Sequence, residues 1–230
     1  MAPANRTTAD TRPIEVPIGA ARLQGDLGLP RAAHGVVVFA HGSGSSRHSP
    51  RNQFVARVLE RRSLATLLID LLTPEEERVD VRTAQYRFDI PMLAERLVSI
   101  VDWLRVQPDT ARLPIGFFGA STGGGAALMA AAARPGEVAA VVSRGGRPDL
   151  AGAALPKVAA PTLLIVGGHD EPVIEMNRDA MAQMRCDVAL DIVPGATHLF
   201  EEPGTLERVA ALAADWFDKH LRAAGSPGRP

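Results

Sequence analysis

Residues 115–128 read IGFFGASTGGGAAL, and the rest of the chain is interpreted outward from this stretch. An apolar run ends at Ala120, Ser121 follows between small residues, and an alanine-rich helical segment begins after it. Residues 119–123 fit G-x-S-x-G, a tight strand-to-helix turn that holds the serine strained and exposed at the edge of a sheet. The pattern therefore predicts a reactive serine. A glycine-rich turn that merely contains a serine is the alternative.

Apolar runs rich in β-branched residues alternate with amphipathic helical segments on both sides of this turn. Strands are predicted at residues 14–16, 21–27, 35–40, 65–70, 115–120, 138–142, 162–166 and 188–193. Helices are predicted from Pro50, from Asp89 to near Pro108, and over residues 126–133, 172–184 and 205–221, with 73–88 as a charged surface connection. Such alternation predicts an α/β fold whose mostly parallel sheet carries helices on both faces.

Length and composition indicate one domain. The chain has 230 residues, of which 46% are hydrophobic, enough for one substantial core. We predict a disordered lead at residues 1–12, a single domain at 13–222 and a disordered Gly/Pro tail at 223–230.

Charge and cysteine content limit which binding partners and which cellular compartment we expect. A net charge of −1 gives no electrostatic reason to expect nucleic acid or an anionic membrane as a partner. The single cysteine, Cys186, cannot form an internal disulfide, which fits a reducing compartment. The polar start lacks the apolar core of a signal peptide, and no apolar run approaches about 18 residues. We therefore expect a cytoplasmic protein; its oligomeric state stays open.

An acid and a histidine follow later strands. Asp170 comes just past the strand at 162–166, and His198 comes after the strand at 188–193. The carboxyl ends of parallel strands share one edge of a sheet, so both should lie near Ser121. The chain order serine, acid, histidine is that of α/β-hydrolases. In such a triad the histidine takes the proton of the serine and the carboxylate orients the imidazole.

Each member of this set has competitors. Asp170 could instead cap the helix at 172–184, and Glu171 could replace it as the acid. Of the other histidines, His41 follows a strand but precedes the serine, and His169 is one residue from Asp170.

An acyl-transfer intermediate also needs two N–H donors for its negative oxygen, each worth roughly 3 kcal/mol. One should be the backbone N–H of Thr122, the residue after the nucleophile. The other should come from the loop after Ala40, and the N–H of Ser43 fits best.

Other classes of function are weaker. Residues 42–47 follow a strand and precede a helix, like a shortened dinucleotide-binding loop, and Asp70 could meet a ribose. Arg47, however, stands where that loop needs a small residue. A non-catalytic binding module of the same fold is a second alternative. The histidines do not cluster at ligand spacing, so we expect neither a metal nor a cofactor.

The chain resembles an α/β-hydrolase, and more narrowly a dienelactone hydrolase-like protein, from about residue 14 to 221. The resemblance is carried by residues 41–47 (HGSGSSR), 119–125 (GASTGGG), 168–173 (GHDEPV) and 195–200 (GATHLF). It implies an eight-stranded sheet with only the second strand antiparallel, and Ser121, Asp170 and His198 as the triad. Dienelactone hydrolases proper carry a cysteine where this chain has Ser121. That departure favours a general carboxylesterase, with a thioesterase or an acyltransferase as alternative.

The substrate is expected to be a small soluble ester. No long apolar insertion remains between Ser121 and His198, so we predict no large lid. Arg47, Arg144 and Arg147 follow predicted strand ends, and one or more could hold an anionic group of the substrate. We favour the alternative that these three arginines are solvated loop charges or form salt bridges within the scaffold.

Overall fold

A single eight-stranded sheet organises the structure, a computed structural model that describes residues 9–225. Its strands are β1 Asp10–Ile18, β2 Ala21–Leu29, β3 Val36–Ala40, β4 Ala65–Ile69, β5 Ile115–Ala120, β6 Val138–Arg144, β7 Thr162–Gly167 and β8 Val188–Val193. They lie in the order β1-β2-β4-β3-β5-β6-β7-β8. Strand β2 is antiparallel to both neighbours, and all strands from β4 to β8 across the sheet are parallel. The predicted α/β-hydrolase sheet is confirmed.

Residues 9–225 also form six helices. They are α1 Pro50–Arg61, α2 Pro74–Thr83, α3 Ile90–Val106, α4 Thr122–Ala133, α5 Glu171–Gln183 and α6 Thr205–Gly225, with a 3₁₀ segment at Pro148–Lys157. Helices α1 and α6 pack together on one face of the sheet, while α3, α4, α5 and the 3₁₀ segment cover the other. Helix α1 begins as predicted, with Ser49 accepting a hydrogen bond from the N–H of Asn52 and proline at the first position.

Strand β3 shows why the central strands are largely apolar. Val36 and Val38 belong to the core on the α3 and α4 side, whereas Val37 and Phe39 belong to the core under α1 and α6. Successive side chains of a strand point to opposite faces, so a strand covered on both faces needs an apolar residue at nearly every position. The buried central strands thus form the core of the domain, and the polar loops extend from the carboxyl edge of the sheet.

Both predicted ends of the domain need correction. Strand β1 begins at Asp10, inside the predicted lead, because Asp10 to Arg12 continue the antiparallel ladder opposite Leu27 to Leu29. Helix α6 continues to Gly225, beyond the boundary predicted at residue 222. The remainder of the predicted lead and tail, residues 1–8 and 226–230, lies outside the described residues.

The predicted charged connection at 73–88 is also wrong in part, because it contains α2. Thr73 accepts a hydrogen bond from the backbone N–H of Glu76, and the Glu76 carboxylate accepts one from the N–H of Thr73. This capping box satisfies two donors at the start of the helix. The Glu76 carboxylate also pairs with Arg96 of α3 at 2.5 Å. Charge pairing and capping, rather than an apolar stripe, hold this helix.

Asp80 is the buried anchor of the segment after α2. Its carboxylate is 1% exposed and accepts hydrogen bonds from the N–H groups of Tyr86 and Arg87 and from the Arg87 guanidinium. Burial raises the pKa of Asp80, but these hydrogen bonds outweigh it and the pKa is lowered overall. Its stabilising effect is therefore present above the unfolded pKa, about 4, and is lost as the pH falls through the lowered value.

We predict that Asp80→Ala lowers the free energy of unfolding by about 2 kcal/mol, because it leaves the N–H groups of Tyr86 and Arg87 and the Arg87 guanidinium without their acceptor. The matched control on the same helix is Glu75→Ala, which removes an exposed pair with Arg78 and should cost less than about 0.5 kcal/mol. Urea unfolding at pH 7 measures both. Equal losses in the free energy of unfolding would show that the buried carboxylate of Asp80 stabilises the fold no more than an exposed ion pair does.

Candidate active site

Ser121 occupies the turn between β5 and α4. Its backbone lies at φ 50° and ψ −123°, a conformation that L residues rarely adopt. The N–H of Ser121 donates to the carbonyl of Arg144 at 3.3 Å, and the Ser121 carbonyl accepts from Gly124 and Arg147. These bonds hold the strained turn, and the side chain points from the carboxyl edge of the sheet into a cavity.

The glycines around Ser121 are required by close backbone approach. A Cβ on Gly123 would lie 2.1 Å from the carbonyl oxygen of Ala40, and one on Gly119 would lie 2.6 Å from the Cα of Gly124. Both distances are far below contact, and the opposing atoms belong to backbone. The G-x-S-x-G spacing is therefore set by the packing of this strand-to-helix turn, the nucleophile elbow, against β3 and α4.

Asp170 and His198 lie together, as predicted. The Nδ1 atom of His198 is 2.6 Å from Oδ2 of Asp170, whose side chain is 14% exposed. His198 lines the same cavity as Ser121. With Nδ1 directed at the carboxylate, Nε2 is the ring nitrogen left to exchange protons with a ligand.

The two loops that carry this pair are tied to one another. The N–H of His169 donates to the carbonyl of Ala196 at 2.9 Å, and a Cβ on Gly167 would come within 2.5 Å of the Ala196 oxygen. Beyond them, the Glu202 carboxylate accepts hydrogen bonds from the hydroxyl and the N–H of Thr197. The sequence analysis does not predict this role of Glu202, because a carboxylate a few residues after His198 is the only feature of the sequence that points to it.

The competing acid and histidine have other surroundings. Glu171 is exposed at the first turn of α5, while its neighbour Asp170 contacts the imidazole. His41 accepts a hydrogen bond at Nε2 from the N–H of Leu71, and its Nδ1 faces the carbonyl of Gly42. Both ring nitrogens of His41 therefore hold the loop after β3 in place.

The two predicted oxyanion donors lie next to each other at the elbow. Thr122 begins α4, so its N–H has no partner within the helix. A Cβ on Gly42 would lie 2.9 Å from the Cβ of Ser121, which shows how closely the β3 loop approaches. The N–H of Ser43, however, donates to the hydroxyl of Thr122 at 3.0 Å. The sequence did not reveal this contact, which a bound oxyanion would have to share or displace.

Of the three arginines predicted as candidate substrate ligands, Arg144 lines the cavity, whereas Arg47 and Arg147 do not. Arg47 pairs with Asp70 and lies 3.5 Å from Asp26, so it ties the β3 loop to β2 and β4. The pairing also occupies Asp70, the residue considered for a ribose contact. Arg147 pairs with Asp149 through two hydrogen bonds of 2.7 and 2.9 Å. Both arginines are scaffold ion pairs, the explanation favoured from the sequence.

The cavity in front of Ser121 has a volume of about 540 Å³, which suits a small ligand. Its wall comes from the loop after β3, the start of α1, the elbow, the end of β6 and the histidine loop. The lining residues are Gly42–Ser46, His48–Arg51, Ala120, Ser121, Arg144, His198 and Leu199. The wall thus carries hydroxyls, imidazoles and two guanidinium groups, and its only large apolar side chain is Leu199.

Residues 9–225 contain no group of three or more acidic, histidine or cysteine side chains placed to hold a metal ion. Within the same range, no helix is both long and apolar enough to span a bilayer.

The sequence model of the dienelactone hydrolase family matches residues 27–222, most of the chain. The chain belongs to this family. In this family member the match begins within β2 and ends within α6, so it contains the elbow and both loops that carry Asp170 and His198. The resemblance inferred from the four motifs is confirmed.

The solved structure of a dienelactone hydrolase from Anabaena variabilis is 60% identical, with a TM-score of 0.92 over 94% of this chain and all of that one. Est1E from Butyrivibrio proteoclasticus is 15% identical, with a TM-score of 0.77 over 91% of this chain and 98% of its own; this likeness shows the fold alone.

A Mycobacterium tuberculosis protein with the provisional name phosphoribosyl transferase is 59% identical over 215 residues. That match covers 94% of this family member but 48% of the mycobacterial protein. The chain thus spans about half the length of the curated relatives it matches, and the name describes the longer protein.

Proposed function

We propose that this hydrolase cleaves carboxylic esters of small soluble substrates through an acyl-enzyme formed on Ser121. The observation that carries the proposal is the 2.6 Å contact between His198 and Asp170 beside the strained serine, with Ser121 and His198 in one cavity. A serine that is held in this way and accompanied by a carboxylate-oriented imidazole is equipped for nucleophilic attack on an acyl carbon.

In this mechanism His198 Nε2 accepts the proton of Ser121 as the hydroxyl oxygen attacks the ester carbonyl. Asp170 stabilises the imidazolium that forms. The N–H of Thr122, at the start of α4, and the N–H of Ser43 stabilise the negative oxygen of the tetrahedral intermediate. His198 then protonates the departing alcohol. In the second step His198 accepts a proton from water as the water attacks the acyl-enzyme, and the acid is released from Ser121.

A thioesterase or an acyltransferase is the alternative on the same residues, since only the leaving group or the acceptor changes. Labelling with a serine-reactive fluorophosphonate tests for the activated serine, and a non-catalytic binding protein would stay unlabelled. Hydrolysis of 4-nitrophenyl acetate, compared with a matched acetyl thioester with and without an added alcohol acceptor, then separates the three reactions.

The size and polarity of the cavity predict a preference for short acyl chains. Long chains gain about 0.8 kcal/mol for each CH₂ that an apolar surface buries, and this wall offers little such surface. No residue of 73–88 lines the cavity, so α2 and its connection provide no apolar cover. We expect kcat/KM for neutral 4-nitrophenyl esters to be highest at acetate or butyrate and to fall at octanoate and palmitate. A maximum at octanoate or longer, or a jump in rate at the solubility limit, would contradict this.

A further inference from the structure

The loop between β8 and α6 contains a hydrogen-bonded clamp on Thr197, the residue directly before His198. The Glu202 carboxylate accepts the Thr197 hydroxyl at Oε1, at 2.6 Å, and the Thr197 backbone N–H at Oε2, at 3.1 Å. These bonds hold the pKa of Glu202 below its ordinary value, with the side-chain bond from Thr197 as the largest cause. Hydrogen bonds to an ionised carboxylate are stronger than neutral ones. Glu202 therefore fixes both the side chain and the backbone of Thr197.

The start of α6 depends on a different part of Glu202. The backbone carbonyl of Glu202 accepts the N–H of Thr205 at 3.1 Å and the Thr205 hydroxyl at 2.7 Å. Thr205 is the first residue of α6 and is buried. Helix α6 thus anchors the backbone of Glu202, while the carboxylate reaches back to Thr197. The carboxylate can be removed without removing the bonds that begin the helix.

Other contacts hold the residues on either side of this clamp. The carbonyl of Ala196 accepts the N–H of His169 at 2.9 Å. Phe200 is 1% exposed and has its backbone in the left-handed region, at φ 55°. A Cβ on Gly145 would lie 3.1 Å from the carbonyl oxygen of His198, so the histidine backbone lies close to the loop after β6. The clamp completes this set of restraints at the peptide that leads into His198.

The imidazole of His198 needs a well-placed backbone because little protein surrounds it. Its side chain is 40% exposed, and the 2.6 Å contact with Asp170 is the only hydrogen bond that residues 9–225 give it. One hydrogen bond fixes one ring nitrogen but lets the ring pivot about that contact. Proton transfer from Ser121 requires the other nitrogen within hydrogen-bond reach of the hydroxyl. A misplacement of about 1 Å can cost about 10²-fold in rate.

We propose that Glu202 is a positioning residue for the catalytic histidine: through Thr197 it sets the backbone from which His198 reaches both Asp170 and Ser121. The inference rests on the proposed function for its catalytic part. Glu202 does not line the cavity, and both of its carboxylate oxygens bind Thr197, so it acts through geometry rather than through its charge. A glutamine can accept the Thr197 N–H and donate to the Thr197 hydroxyl oxygen, and should therefore keep the function.

The kinetic test compares Glu202→Ala with Glu202→Gln in the hydrolysis of 4-nitrophenyl acetate. Glu202→Ala should lower kcat and kcat/KM together by roughly 10- to 100-fold, because the lost restraint serves proton transfer rather than substrate binding. Glu202→Gln should stay within about twofold of the wild type. Glu207→Ala is the matched control, since Glu207 is exposed in the first turn of α6, and it should leave kcat unchanged. Equal losses for Glu202→Ala and Glu202→Gln, or no loss for either, would overturn the proposal.

A second comparison separates positioning of His198 from a general loosening of the site. In the His198→Ala background, Glu202→Ala should cause no further loss of kcat, because Glu202 acts only through the imidazole. A further loss of about tenfold would show that Glu202 supports the whole site and would overturn the proposal. Thr197→Val removes the hydroxyl but keeps the N–H, so it should lower kcat less than Glu202→Ala does. If Glu202→Ala fails to fold, a wild-type kcat in Thr197→Val overturns the proposal instead.

An NMR measurement removes the dependence on turnover. Long-range proton–nitrogen correlations of the histidine rings identify the protonated nitrogen, and the signals missing in His198→Ala assign His198. Above neutral pH the wild type should carry its proton on Nδ1, which faces Asp170, whereas Glu202→Ala should give a mixture of tautomers and Glu202→Gln should not. A His198 spectrum identical in Glu202→Ala and the wild type would overturn the positioning role. A tautomer mixture in Glu202→Ala of a protein that hydrolyses no ester would support the positioning role while rejecting the proposed function.

Discussion

Ser121→Ala should lower kcat for 4-nitrophenyl acetate by several orders of magnitude and leave the fold intact. The substitution removes the attacking oxygen, and the acyl-enzyme cannot form without it. It adds no atoms to the elbow, and alanine carries the same penalty as serine at a φ of 50°. The measurements are kcat from steady-state kinetics and the Tm, which should change by only a few degrees.

Ser99→Ala is the matched control for this experiment. Ser99 lies on the exposed side of α3, where its hydroxyl donates to the carbonyl of Glu95, so its loss should leave kcat unchanged. Retention of more than about a tenth of the activity by Ser121→Ala would reject the nucleophile assignment.

The mostly parallel sheet could be predicted because its central strands are largely apolar runs. Strand β3 carries five apolar residues in succession, and all five are buried. A strand covered on both faces is the natural state of such a run, and short helical crossovers then make it parallel. The ends were harder to predict, because Asp10 to Arg12 are exposed and held by ladder hydrogen bonds rather than by burial.

Helix α2 escaped prediction for a related reason. Its sequence, PEEERVDVRT, has no apolar stripe, and only Asp80 is buried in it. Helix prediction from periodicity needs such a stripe. Thr73 followed three residues later by Glu76 is nevertheless the sequence signature of a capping box, and it marks the start of this helix.

The positions of Asp170 and His198 could be predicted from chain order, because the topology delivers both strand ends to one edge. The roles of the three arginines could not. Arg47, Arg144 and Arg147 all follow or end strands. Only the fold shows that Arg47 pairs with Asp70, while Arg144 pairs with no acid of residues 9–225. Partner choice depends on packing between distant segments, and a single sequence does not encode it in any local pattern.

His198→Ala should be nearly as damaging to kcat as Ser121→Ala. Without the imidazole, the serine hydroxyl keeps its proton at neutral pH and is a poor nucleophile. Residues that act as a unit give non-additive losses, so the double variant should be little worse than either single one. If the losses multiplied instead, the two residues would act independently and the proposed mechanism would be wrong.

The carboxylate is tested by Asp170→Asn against Glu171→Gln, two adjacent substitutions that each remove one negative charge. Asp170 lies 2.6 Å from His198, so an asparagine there would favour the wrong tautomer of the imidazole. We expect kcat to fall by about 10³- to 10⁴-fold for Asp170→Asn. Glu171 is exposed at the start of α5, and Glu171→Gln should change kcat less than about twofold. A larger loss for Glu171→Gln than for Asp170→Asn would transfer the role of the acid to Glu171.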